Sequence, residues 1–65
     1  MNIIINGMKT DTTARNVAEL LREQGYEGKI IAVARNSVFV PKMEHTNTIL
    51  NDGDDIEIVA PMQGG

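Results

Sequence analysis

The sequence has no cysteine. That removes disulfide staples, a thiolate nucleophile and zinc–thiolate sites. It has no tryptophan, one tyrosine and one phenylalanine, so the core must be aliphatic, built from Ile, Val, Leu and Met. No apolar run approaches the roughly 20 residues that a membrane span needs. The opening stretch Met1-Asn2-Ile3-Ile4-Ile5-Asn6 has neither the positive start nor the small-residue cleavage site of a signal peptide. These absences lead us to expect a cytoplasmic protein with no membrane partner. Positive charge is also scarce: six Lys and Arg stand against nine Asp and Glu, for a net charge of −3. Nucleic acid is a poor partner for such a chain, because affinity there comes from basic residues meeting phosphates.

Sixty-five residues make one small domain. A chain of this size buries only about 60% of the surface it exposes when unfolded. A core and an enclosed substrate cavity of about 300 Å3 do not both fit, which argues against an enzyme.

Three consecutive isoleucines mark Met1–Asn6 as a strand. Asn6-Gly7 is a strong hairpin signal, because both central positions of a type I′ turn need positive φ, and Met8–Thr12 can return as a second strand. Asn16-Val17-Ala18-Glu19 reads as a helix start, with Asn16 as cap and Glu19 at the acid position of a capping box. Val17, Leu20, Leu21 and Gln24 fall on one stripe, and Gly25 sits where a left-handed C-cap belongs. Ile30–Arg35 and Val38–Val40 read as strands around an Asn36-Ser37 turn, and Pro41 ends the second. Lys42–Leu50 is irregular, with room for one helical turn. Asn51-Asp52-Gly53-Asp54 is a turn. Asp55–Ala60 alternates as a last strand, with Ile56 and Ile58 on one face and Glu57 and Val59 on the other.

Hairpin, helix, hairpin, turn and strand predict a two-layer α+β domain: one helix across one face of a mixed sheet, the other face open. Leu20, Leu21, Ile3, Ile5, Ile56 and Ile58 should be buried. Ile4 and Val59 then fall on the open face, where adjacent apolar residues would make a partner-binding patch.

The chain finishes on Gly64-Gly65. Without a Cβ, glycine passes where side chains clash, and a terminal glycine presents its carboxylate unshielded. That suits a carboxylate threaded into another protein's active site. The plainer reading is a frayed end. Met62 to Gly65 has no apolar run to bury, so this segment should be mobile in the free protein. The cluster Asp52, Asp54 and Asp55 lacks the spacing of a calcium loop; turn chemistry explains it, with docking to a basic partner as a second use. His45, the one histidine, reads as a surface residue, and no metal site is expected. Ser37 and the threonines have no triad logic.

The order and spacing of Asn16-Val17-Ala18-Glu19-Leu20-Leu21, Ala32-Val33-Ala34-Arg35-Asn36 leading to Val40-Pro41, Asp52-Gly53-Asp54-Asp55-Ile56-Glu57-Ile58-Val59 and Gly64-Gly65 resemble the ThiS-type sulfur carriers, ubiquitin-like β-grasp proteins of thiamin thiazole synthesis. The resemblance implies a β-grasp sheet of four to five strands with one main helix over 1–60, and a flexible Gly-Gly tail over 61–65. It implies a protein co-substrate and not an enzyme. A ThiF-type adenylating enzyme would spend ATP to activate the Gly65 carboxylate, and a persulfide donor protein would supply sulfur for a thiocarboxylate. A ThiG-type thiazole synthase would receive it. Met62, Gln63 and Gly64 would thread the tail, and Ile4 and Val59 would meet the partner. The chain itself would bind no cofactor and would be a monomer when free. Alternatives are a carrier for molybdopterin or an amino acid, a ubiquitin-like modifier, or a plain binding module whose Gly-Gly is accidental.

Overall fold

The structure, a computed structural model, describes residues 1–60. The expectations for 61–65, including the mobile tail and the threading roles of Met62, Gln63, Gly64 and Gly65, lie outside the described residues.

Strand β1 (Asn2–Ile5) turns through Asn6 and Gly7, at φ 50° and 82°, into β2 (Met8–Asp11). Ile5 pairs with Met8 across that two-residue loop. Both turn residues are left-handed, as a type I′ hairpin requires. The helix α1 (Val17–Glu23) is capped by Asn16, whose side chain accepts from the Glu19 N–H at 2.8 Å. Glu19 reaches back, but to the Arg15 N–H at 2.8 Å rather than to the cap residue. At the other end the Tyr26 N–H donates to the Leu21 carbonyl and the Gly25 N–H to that of Arg22. These two bonds, with Gly25 at φ 85°, form a Schellman motif.

The second hairpin is β3 (Ala32–Arg35) and β4 (Val38–Val40), joined by Asn36 and Ser37 at φ 51° and 70°. A single 3-10 turn covers Lys42–Glu44, and β5 (Asp55–Val59) closes the fold. The sheet order is β2-β1-β5-β3-β4. β5 runs parallel to β1 and antiparallel to β3, so the first and last strands lie side by side at the centre.

All six residues expected in the core are buried. Val17, Val33, Val40, Leu50 and Ala14 complete the cluster, with Tyr26 and Ile31 packed against it. Two expectations are corrected. Gln24 is exposed, because the Schellman motif ends the helix and turns the chain before that position can face the sheet. Strand β3 starts at Ala32, not at Ile30, since the chain is still turning where the Lys29 N–H bonds to the Tyr26 carbonyl. Ile30 is left 82% exposed.

Candidate functional site

Alternation along the strands presents Ile4 on β1, Glu57 and Val59 on β5, Ala32 and Ala34 on β3 and Phe39 on β4 to the face away from the core. Ile4 is 37% exposed and Val59 62%, while Ile3 and Ile58 are buried. The two do not form one patch, however. Ile4 is level with Asp55, and Val59 lies four positions further along β5, beyond Glu57. At about 3.3 Å per residue that separation is about 13 Å.

The apolar surface beside Val59 lies on the other side of β5. Val59 pairs with Ala32, and Ala34 in the same strand pairs with Phe39. Phe39 is 64% exposed and is the largest side chain on this strip. It stands beyond Ala34, level with Glu57 and two positions before Val59, the end of β5. Sequence alone could not single it out. Val38, Phe39 and Val40 are all apolar, so their alternation carries no label for inside or outside. Only the burial of Val40 against Val33 turns Phe39 outward.

The acidic cluster is mostly structural. Asp54 is buried and accepts from Arg35 Nε at 2.8 Å, from the Asn51 N–H at 2.8 Å and from Asn36 Nδ2 at 3.1 Å. Burial pushes its carboxyl upward, but the hydrogen bonds from Arg35, Asn51 and Asn36 outweigh it and hold it below the ordinary value. Asp52 accepts from the Asn2 N–H at 2.8 Å, and Asp55 is exposed. Among the described residues no group of three His, Asp or Glu could hold a metal. Glu19 is also held below the ordinary carboxylate value, first by the Arg15 backbone N–H and then by the Arg15 side chain.

His45, expected as a surface residue, keeps part of its surface open. It is half-buried, and its Nε2 lies 3.2 Å from the Val40 carbonyl, so that nitrogen donates. It borders an open groove of about 330 Å3 beside the C-terminal end of α1. The volume matches what the size argument had excluded, yet the groove is formed outside the core and does not compete with it. Ser37 is spent in a turn. No helix of the described residues is long and apolar enough to cross a membrane.

A five-stranded mixed sheet with one helix on one face and β1 parallel to β5 is the ubiquitin-like β-grasp fold. The ThiS family model matches residues 3–65, and the chain belongs to that family. It is 38% identical over 61 residues to the sulfur carrier protein ThiS of Thermus thermophilus, covering 94% of this chain and 95% of that protein. It is 41% identical over 66 residues to a thiazole synthase of Paramagnetospirillum magneticum, covering 100% of this chain and 20% of that protein. The chain thus spans about a fifth of that relative's length. The crystal structure of thiamine biosynthesis protein ThiS from Geobacter metallireducens superposes with a TM-score of 0.83 at 28% identity, covering all of both chains. A solution structure of a thiamine biosynthesis protein from the same organism gives 0.81 at 28% identity, over 100% of this chain and 88% of that one.

Proposed function

We propose that this protein is a sulfur carrier of thiamin biosynthesis that bears its cargo on the Gly65 carbonyl carbon. The observation that carries the reading is a family match running through Gly64-Gly65, together with a likeness to a named sulfur carrier along nearly its whole length.

The chemistry follows from the weakness of a free carboxylate as an electrophile. A ThiF-type partner transfers AMP from ATP to the Gly65 carboxylate and releases pyrophosphate. The terminal sulfur of a persulfide on a donor protein attacks the acyl carbon, and AMP leaves. A thiol then cleaves the S–S bond of the acyl disulfide, leaving a thiocarboxylate. This chain supplies the reacting carbon and no catalytic group. Gln63 and Gly64, with Met62, are the segment that enters the partner's channel. Val59 and Phe39 form the contact outside it, with Ile4 further out on the same face. A thiazole synthase with a region similar to all of this chain supports a ThiG-type enzyme as the receiver.

Intact mass of the protein isolated from cells tests the proposal. A gain equal to replacing one oxygen by sulfur, lost on mild hydrolysis, is the expected result. Ladders of conjugates would instead favour a modifier. With the activating enzyme, deletion of Gly65 or Gly64→Val should abolish ATP–pyrophosphate exchange and leave the melting curve unchanged. Full exchange from a folded Gly65 deletion would overturn the assignment.

A further inference from the structure

The groove beside the end of α1 gathers charge against the trend of the chain. Arg22, Lys29 and Lys42 border it, which is half of the six Lys and Arg residues of a protein with net charge −3. The one histidine, His45, borders it too. Of nine carboxylates only Glu27 lies there, and it is tied to Arg22 at 3.2 Å. Among the described residues no carboxylate pairs with Lys29 or Lys42.

The groove is also greasy. Leu21, Ile30 and Ile31 line it, and Ile30 has almost no cover of its own. A site for a small anion has no use for a bare isoleucine. A peptide with aliphatic side chains between carboxylates satisfies both features, filling the apolar groove and meeting the cations around it.

We infer that this groove docks an acidic, aliphatic segment of a protein partner. It lies on the helix side, away from Phe39 and Val59. It opens where Ile31 leads into Ala32, the residue paired with Val59, so it flanks the end of β5. A partner that takes hold beyond β5 can therefore grip the domain from both faces. The inference goes beyond the carrier reading, because its test uses neither the tail chemistry nor an enzyme.

The test is an NMR titration of the 15N-labelled full chain. The probe is an acetylated, amidated octapeptide of alternating Glu and Leu pairs. The controls are the same peptide with Gln for Glu, and inorganic phosphate. Shift changes should centre on Leu21, Tyr26, Ile30 and Ile31. Affinity should fall about tenfold in K29E/K42E and should also fall as salt rises. Ile30→Asp, at an exposed position, should remove binding without altering the melting temperature. Four results would overturn the inference: no saturable shifts, equal binding of the Gln peptide, the same shifts from phosphate alone, or shifts centred on Phe39 and Val59.

Discussion

The side-chain amide of Asn6 grips the backbone of Ile58 at both of its polar atoms. Oδ1 accepts from the Ile58 N–H at 2.8 Å, and Nδ2 donates to the Ile58 carbonyl at 3.2 Å. Asn6 has turned left-handed, so once its N–H has bonded the Ile56 carbonyl at 2.9 Å its backbone cannot carry the β1–β5 ladder onward. Its side chain carries it instead, toward the end of β5. Asn36 acts in parallel at the start of β5, accepting from the Asp55 N–H at 2.9 Å from the same position of its own turn.

Asn6→Gly keeps the turn, since glycine accepts positive φ freely, but removes both bonds. At roughly 0.5–1.5 kcal/mol each the loss is about 1–3 kcal/mol. A domain of this size should then melt about 4–8 °C lower per kcal/mol. Amide exchange at Ile58 should accelerate more than at Ile3. Unchanged exchange at Ile58 would show that the amide grip contributes nothing.

The legible part of the fold was the part written in local chemistry. Asn-Gly, the Asn16 cap, Gly25 and the 56/58 alternation each encode their own geometry, and each reads correctly. The errors arose where neighbours decide. Ile30 looks like strand, but the turn after Tyr26 consumes it. Ile4 and Val59 share a face, as alternation says, yet their separation depends on the β1–β5 register, which no local pattern encodes. Phe39 was hidden by apolar residues on both sides. Arg35 gave no local sign that it would pair with Asp54, 19 positions away.

Ser37 holds φ 70° without being glycine. A left-handed L-residue costs roughly 1–2 kcal/mol, partly offset by the greater unfolded-state freedom of glycine. Ser37→Gly should therefore stabilise the domain by about 0.5–1 kcal/mol, read as a higher melting temperature. A lower melting temperature would mean that the hydroxyl makes a contribution larger than the strain.

The Asp54–Arg35 pair predicts how the domain responds to acid. The folded Asp54 carboxyl is held below its ordinary value. Its contribution is thus complete above the ordinary carboxylate range and fades as pH falls through the folded value. Asp54→Asn removes the charge and leaves Arg35 without its partner. It should cost about 1–3 kcal/mol at pH 7, and the gap from the parent should narrow as the pH drops below about 4. Parallel melting curves of the two proteins across that range check the sign. A gap that widens in acid would mean that Asp54 is not the stabilising acid.

The exposed strip predicts a graded response on the partner side. Val59→Asp and Phe39→Asp each place a charge in an apolar contact, where it is poorly solvated. Both positions are exposed in the free domain, so both variants should melt within about 1 kcal/mol of the parent. Their affinity for the adenylating enzyme should drop tenfold or more, about 1.4 kcal/mol each. Ile4→Asp should do less, because Glu57 already puts a carboxylate between Ile4 and the strip around Val59. Titration calorimetry of the three variants ranks them. An Ile4 effect equal to that of Val59 would mean that the partner covers the face across β1 as well. Unchanged affinity in all three would move the interface off the open sheet altogether.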